Sequence, residues 1–195
     1  MKKLLLINGP PRSGKDTFFD IMHTRVESCS EYKMSRPLKD IFGALFNMNW
    51  LEQDIMLEEK KDETILDVGM SPREILIMIS EEWIKPKFGD HYLGIIGRAR
   101  IRQMDAKNII ITDSGFDYEI PPLIEEFGYD NLYLIQLSRP DYTFENDSRD
   151  YIGIDSIKPD NVAVIHNNDD LNEYKRKIMI VLKDFGFEII GDIND

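Results

Sequence analysis

Apolar residues along this chain fall into short runs that are separated by longer segments of mixed polarity. Four runs predict buried β-strands, over residues 4–7, 108–112, 132–137 and 161–165, and a weaker fifth strand is predicted over residues 32–35. The segments between them have the length and polarity of helices. Such alternation is typical of a parallel sheet with helices on both faces, so we expect an α/β fold.

Two helix starts are visible in the same pattern. Ser71, Pro72 and Glu74 match a capping box, with serine at the N-cap and proline at the first helical position. Asp170 and Glu173 repeat the start signal ahead of an amphipathic run. We therefore predict helices that begin directly after residues 71 and 170.

The loop after the first predicted strand carries the strongest chemical signal. Gly9 and Gly14 bound this loop, Lys15 follows at once, and a helix-compatible segment begins there. A strand, a glycine-bounded loop ending in Gly-Lys and a helix form the layout of a nucleotide-phosphate cradle. Backbone N–H groups at the helix start converge on phosphate oxygens, and Lys15 adds a full positive charge.

One position departs from the strict form of this motif. The strict pattern has serine or threonine directly after the lysine, whereas Asp16 stands there and Thr17 follows it. A tight turn that needs glycine only for backbone geometry is the alternative interpretation. Such a turn has no need for Arg12, Ser13 and a lysine together, so we favour phosphate binding.

Composition narrows the class of protein. The length of 195 residues fits a single domain with a sizeable core. The formal net charge of −12 argues against binding to duplex nucleic acid, which requires a basic face, so a nucleotide site would be a local positive focus. Cys29 is the only cysteine of the sequence, which excludes an internal disulfide and favours the cytoplasm. No apolar segment approaches the length of a membrane span, so we expect a soluble protein without a membrane partner.

These motifs resemble those of the phage-type deoxynucleoside monophosphate kinases, a family within the P-loop nucleoside monophosphate kinases. In that family aspartate commonly follows the loop lysine, so Asp16 fits the family form. Further segments match in the family's order along nearly the whole chain, although only the loop is specific by itself: residues 34–39, 71–76, 88–90, 111–113 and 164–168. Two segments depart from the family pattern. Ser114-Gly115-Phe116 stands where the family often has Val-Arg-Phe, and residues 146–150 lack its histidine-containing lid motif.

The resemblance implies a fold and a reaction. The fold would be a P-loop NTPase-type three-layer sandwich with about five parallel strands, helices that bind the nucleoside monophosphate, and a lid. One kinase domain would span residues 1–195, with the acceptor-binding insertion over about 36–105 and the lid over about 139–155. The reaction would be ATP-dependent phosphorylation of a (deoxy)nucleoside monophosphate to the diphosphate, with Mg²⁺. An acceptor phosphate is already anionic, so positioning and charge stabilisation would suffice without a general base.

Candidate residues for the donor side gather in and near the loop. Lys15 is expected to bridge the β- and γ-phosphates of ATP, and Thr17 to donate to a phosphate. Asp16 and Asp113 are the candidate Mg²⁺ contacts, with a helix-start or turn role as the alternative for each. The catalytic candidates are Lys15, Arg12, Asp113 and Arg149. The ATP-binding candidates are Gly9, Arg12, Ser13, Gly14, Lys15, Asp16, Thr17 and the lid residue Arg139.

Arg73 leads the acceptor-side candidates, because a guanidinium group at a helix start can grip a monophosphate as a fork. The other acceptor-side candidates are Arg36, Lys39, Trp83, Arg98 and Arg102. A structural role is the open alternative for each of these five: a solvated surface position for the cations and core packing for the tryptophan.

Two other functions stay open at this point. A P-loop kinase that acts on the hydroxyl group of another small molecule would need a carboxylate base, and Asp113 is the candidate. A catalytically degenerate module would bind nucleotide without transferring phosphate. The three histidines have no metal-ligand spacing, so we expect structural roles for them. A nucleoside monophosphate is the expected small-molecule partner, and a homodimer is left open.

Overall fold

The computed structural model describes residues 2–145 and 147–191. Five parallel strands form one sheet, in the order β2-β3-β1-β4-β5. The strands are β1 (Lys3–Asn8), β2 (Cys29–Tyr32), β3 (Asn108–Ser114), β4 (Leu132–Ser138) and β5 (Val162–His166). Because β1 is the middle strand, the loop that follows it emerges at the centre of the carboxyl edge of the sheet.

Both faces of the sheet are buried, which explains the uninterrupted apolar runs. Leu4, Leu5, Leu6 and Ile7 in β1 have no exposed surface, although successive side chains of a strand point to opposite faces. On one face, β1 shares a core with α1 (Lys15–Arg25) and α8 (Leu171–Asp184). Outside that core, α7 (Ile120–Phe127) contacts β4. The α/β sandwich of P-loop NTPase type, predicted from the sequence, is confirmed.

The fifth strand lies three residues earlier than predicted. It spans Cys29–Tyr32 rather than residues 32–35 and pairs with β3 alone, at one edge of the sheet. Its two central residues, Ser30 and Glu31, are polar and partly exposed. An edge strand of this kind lacks the apolar run that marks a central parallel strand, so hydrophobic periodicity located it poorly.

The chain divides into two compact units: unit 1 is Met1–Lys33 with Gly94–Asp195, and unit 2 is Met34–Leu93. Unit 1 holds the sheet. Unit 2 contains α2 (Arg36–Leu45), α3 (Trp50–Asp54), α4 (Pro72–Met78) and α5 (Lys85–Phe88), with π-helical turns at Ile55–Glu59 and Ile79–Ile84. Its core consists of Leu38, Phe42, Leu57, Ile75, Ile79, Ile84 and Leu93. The unit boundary falls within α6 (Tyr92–Gln103), and an acceptor-binding insertion over about 36–105 stays a prediction.

Both predicted helix starts are confirmed. At α4 the Glu74 N–H donates to Ser71 Oγ, and the Glu74 carboxylate accepts from the Ser71 N–H, which completes the capping box. At α8 the Asp170 carboxylate accepts from the Glu173 N–H at 2.9 Å. Across the described residues, no helix combines the length and the apolar character that crossing a bilayer requires.

Candidate active site

Residues 9–14 form a tight loop between β1 and α1, and residues 15–17 are the first turn of α1. Arg12 and Gly14 adopt positive φ angles of 64° and 108°, and the Ser13 N–H donates to the Pro10 carbonyl at 3.2 Å. The first helical bond follows at once, from the Phe18 N–H to the Gly14 carbonyl at 2.9 Å. The N-terminus of α1 therefore lies at the carboxyl edge of the sheet, where ligands of open α/β sheets bind.

Three side chains from outside the loop hold its carbonyl groups. Arg139 Nη1, Asn167 Nδ2 and the Tyr174 hydroxyl donate to the carbonyl oxygens of residues 12, 13 and 14, at 3.1, 2.9 and 3.1 Å. In a trans peptide the C=O and the next N–H point in opposite directions. The N–H groups of Gly14 and Lys15 consequently point away from Asn167 and Tyr174, which hold the carbonyl groups of Ser13 and Gly14. This is the arrangement that an anion-binding loop requires.

Gly14 is needed for this arrangement on two grounds. Its φ of 108° lies in the region that residues with a Cβ rarely adopt, and an added Cβ would lie 2.7 Å from Asn167 Nδ2 and 3.1 Å from the Tyr174 hydroxyl oxygen. Glycine at the N-cap also provides no side-chain acceptor for the first-turn N–H groups of α1. Those donors are therefore available to an anion.

Lys15 folds back across the loop. Its Nζ donates to the carbonyl oxygens of Gly9 and Pro10, at 2.7 and 2.6 Å. The pKa of Lys15 is lowered to about 8, chiefly by burial and also by the charge of Arg149, while nearby aspartates oppose the shift. Lys15 thus carries its charge in a partly desolvated position, where electrostatic interactions are stronger than in water.

The hydroxyl of Ser13 is a buried polar group in the same loop. Ser13 has no exposed surface, and its Oγ has no hydrogen-bond partner within the described part of the chain. A Cβ added at Gly9 would lie 2.8 Å from this Oγ, so Ser13 packs against the first glycine of the loop. An unsatisfied buried hydroxyl costs free energy, and a phosphate oxygen is an acceptor that would satisfy it.

Arg149 lies beside this loop and forms a bidentate ion pair with Asp147. Its Nε and Nη2 donate to the two carboxylate oxygens of Asp147, at 2.8 and 2.7 Å. This carboxylate raises the pKa of Arg149, which therefore stays charged. The stem of Arg149 lies across Gly115, whose missing Cβ would come within 2.6 Å of it. The sequence has no arginine in residues 114–116, and the structure brings one to that place from a distant segment.

Asp113 and Asp16 lie near the loop in different settings. Asp113 is partly buried, directly before the last residue of β3, and its charge raises the pKa of both Lys15 and Arg149. Asp16 is exposed in the first turn of α1, where its negative charge interacts favourably with the helix dipole. Across the described residues, no group of three or more metal-ligating side chains forms a metal site. Mg²⁺ at nucleotide sites usually takes one or two carboxylates together with phosphate oxygens and water. These two aspartates can supply the carboxylates.

Arg98 and Arg102 occupy a different part of unit 1. Both lie on α6 and face α7, where Arg98 pairs with Glu125 and Arg102 Nη1 lies 3.8 Å from Glu126 Oε1. Two salt bridges of this kind tie one helix to another. The structure therefore does not bring these arginines together with the loop, and their role in substrate binding stays a prediction.

The other acceptor-side candidates lie in unit 2. Arg36 pairs with Asp40 at 2.8 Å, Lys39 with Glu58 at 2.6 Å and Arg73 with Asp62 at 2.6 Å. The tryptophan candidate, Trp83, is 48% exposed rather than buried in the unit 2 core. The two longer-range pairs use carboxylates of the charged run at residues 58–63, so this run holds the side chains of Lys39 and Arg73.

Comparisons with known proteins inform the fold. Neither the family models nor the curated proteins contain a match to this chain. Among solved structures, a tunicamycin resistance protein from Deinococcus radiodurans is similar, with a TM-score of 0.50 and 11% identity, covering 98% of this chain and 100% of its own. A second similar structure, TT1252 from Thermus thermophilus, has a TM-score of 0.45 and 14% identity, covering 93% of this chain and 97% of its own. At these identities the first similarity shows a shared fold.

Sequence reasoning missed several residues that shape the loop. Asn167 and Tyr174 hold loop carbonyls, and Asp147 holds Arg149. Asn167 carried the one usable signal, since it follows directly after a strand and so had to lie at the carboxyl edge of the sheet. Asn146, within the predicted lid, falls outside the described residues, and the lid over about 139–155 stays a prediction.

Proposed function

We propose that this protein binds ATP through residues 9–17 and transfers its γ-phosphate to a (deoxy)nucleoside monophosphate. The orientation of two loop peptides carries this proposal: the carbonyl groups of Ser13 and Gly14 are held by Asn167 and Tyr174, and the N–H groups of Gly14 and Lys15 point the other way. Such a loop offers donors and positive charge to a polyphosphate.

The side chains around the loop suit the charge that phosphoryl transfer develops. The moving group spreads negative charge over its oxygens, and preorganised cations stabilise that charge. Lys15 and Arg149 are the first two candidates for this role, because each charge acts on the other. Arg12 lies within the loop, and Arg139 donates to the Arg12 carbonyl. Bound Mg²⁺ would neutralise charge on the β- and γ-phosphates, with Asp16 and Asp113 as its candidate carboxylates. Arg73 is the first candidate for binding the acceptor phosphate.

Phosphoryl transfer to a hydroxyl group of another small molecule is the second candidate function. Asp113 favours it, because a carboxylate close enough to act on Lys15 and Arg149 can accept the proton of an attacking hydroxyl. The name of the Deinococcus radiodurans protein suggests tunicamycin as one acceptor to include in the test.

A coupled ADP-release assay tests the proposal across acceptors. The panel contains ribo- and deoxynucleoside monophosphates, tunicamycin and simple hydroxyl compounds. We expect ATP-dependent ADP release with at least one monophosphate, loss by orders of magnitude in Lys15→Met, and retention in the control Lys183→Met, since Lys183 is exposed near the end of α8. Release only with hydroxyl acceptors would select the second function. ATP binding without transfer to any acceptor would indicate a degenerate nucleotide-binding module, and failure to bind ATP would overturn the proposal.

A further inference from the structure

Asn8, the last residue of β1, makes three hydrogen bonds to the backbone at the carboxyl edge of the sheet. Its side chain has no exposed surface. Nδ2 donates to the carbonyl oxygens of Ser114 and Asp150, at 3.1 and 3.0 Å, and Oδ1 accepts from the Ile152 N–H at 2.8 Å. One buried amide thus joins the end of β1 to the end of β3 and to residues 150–152.

Two further hydrogen bonds fasten the same segment. The Asp150 N–H donates to the Gly115 carbonyl at 3.2 Å, and Gln136 Nε2 donates to the Ile152 carbonyl at 2.8 Å. Their partners lie in β4 and directly after β3. Residues 150–152 are therefore held from three strands, and Arg149 is the residue immediately before them.

The side chain of Arg149 is fixed as firmly as the backbone that follows it. The Arg149 N–H and Nε both donate to Asp147 Oδ1, at 3.0 and 2.8 Å, and the Asp147 side chain is only 6% exposed. A Cβ at Gly115 would lie 2.6 Å from Arg149 Cβ and 2.7 Å from its Cγ. Arg149 therefore occupies space that only glycine at position 115 leaves open.

We propose that Asn8 is a positioning residue for Arg149. It holds Arg149 in its bidentate ion pair with Asp147, over Gly115 and near Lys15. Asn8 directly precedes the loop, so one residue fixes both the start of the loop and the segment that carries the second cation. A cation held in place before the ligand arrives loses less conformational entropy on binding. The contact of Arg149 with a phosphate rests on the proposed function, whereas the holding of Arg149 is a property of the chain alone.

Amide hydrogen exchange, measured without a ligand, tests whether Asn8 holds the segment that contains Arg149. In Asn8→Ala we expect amides of residues 147–153 to exchange about tenfold faster or more, because all three hydrogen bonds of the Asn8 side chain are lost, while β1 and β4 stay protected. Asn161→Ala is the matched control. Asn161 directly precedes β5 and is buried, and its Nδ2 donates to the carbonyls of Asp130 and Leu132, at 3.3 and 2.9 Å. Unchanged exchange of residues 147–153 in Asn8→Ala would overturn the proposal. Should that variant fail to fold, the smaller change Asn8→Ser is judged by the same criterion. Gly115→Ala leaves Asn8 in place and crowds Arg149 from the other side.

Affinity for MgATP, measured by calorimetry, tests whether the fixed position of Arg149 strengthens ligand binding. Asn8→Ala and Gly115→Ala should each weaken binding about tenfold, in the direction of Arg149→Met, while Asn161→Ala keeps the affinity of the parent chain. Combined with Arg149→Met, Asn8→Ala should add little, because the residue that it positions is gone. An equal loss with and without Arg149 would overturn positioning through Arg149. If the parent chain binds no MgATP, the proposed function fails, and the exchange result alone decides whether Asn8 holds Arg149.

Discussion

The lysine of the loop, Lys15, shows how burial and neighbouring charges set the state of a single group. Its pKa lies at about 8 against an ordinary 10.5, chiefly because burial disfavours the ammonium form. Arg149 acts in the same direction, and Asp16, Asp113 and Asp147 oppose it. Lys15 therefore remains mostly charged at neutral pH and loses its charge over a range in which an ordinary lysine keeps it.

This shift predicts a dependence of stability on pH. Between about pH 8 and 10.5 the unfolded chain binds more protons at Lys15 than the folded chain, so the contribution of Lys15 to the free energy of unfolding should rise with pH. Below this window both states are protonated and the contribution is constant. Urea unfolding of the parent chain and of Lys15→Met on either side of the window isolates the effect. Equal pH dependence in the two proteins would contradict the account.

Gly14 allows a prediction with a matched control elsewhere in the chain. Gly14→Ala should cost about 1–2 kcal/mol for the positive φ and more for the contact with Asn167 Nδ2. Gly69 has a φ of 74° and no described atom within 4 Å of an added Cβ, so Gly69→Ala should carry the backbone cost alone. Urea unfolding compares the two variants. A Gly14→Ala protein as stable as Gly69→Ala would show that the loop does not need the space.

At the scale of secondary structure, the site is assembled from pieces that follow different strands. β1 leads into the loop, β3 carries Asp113, β4 ends before Arg139, and β5 ends before Asn167. α8 adds Tyr174, whose hydroxyl reaches the Gly14 carbonyl. The parallel sheet brings these carboxyl ends to one edge, so residues far apart in sequence support one short loop.

The support from α8 is directly testable. Tyr174→Phe keeps the buried ring but removes the donor to the Gly14 carbonyl, so we expect a loss of about 1 kcal/mol in the free energy of unfolding and weaker MgATP binding. Tyr129, which is 41% exposed, provides the control variant Tyr129→Phe. If Tyr174→Phe matched this control in both measurements, α8 would have no part in shaping the loop.

The sequence predicted those features that depend on local pattern. Central strands appear as apolar runs because both sheet faces are covered, and the Gly-Lys loop has a fixed spacing. The supports of the site have no such pattern. Asn8 and Asp150 lie 142 positions apart, and Asn167 and Ser13 lie 154 apart. Only the folded sheet brings these residues together, so sequence reasoning named Lys15 and Arg149 as candidates but not the residues that hold them.

At the scale of the whole molecule, an acidic chain places four cationic side chains at or beside one loop. The net charge is −12, yet Arg12, Lys15, Arg139 and Arg149 all lie at or beside the loop of unit 1. A local positive focus attracts an anionic ligand while the overall charge disfavours duplex nucleic acid. Unit 2 has its own core and, by prediction, the acceptor-binding residue Arg73.

Phosphorus NMR tests the central claim most directly, because it observes the transferred group itself. The purified protein is incubated with MgATP and a mixture of nucleoside monophosphates. We predict that the γ-phosphate signal of ATP decays while β-phosphate signals of ADP and of a second nucleoside diphosphate appear together, and that Lys15→Met shows neither change. A spectrum in which ATP persists, or in which only inorganic phosphate appears, would contradict phosphoryl transfer to a nucleoside monophosphate.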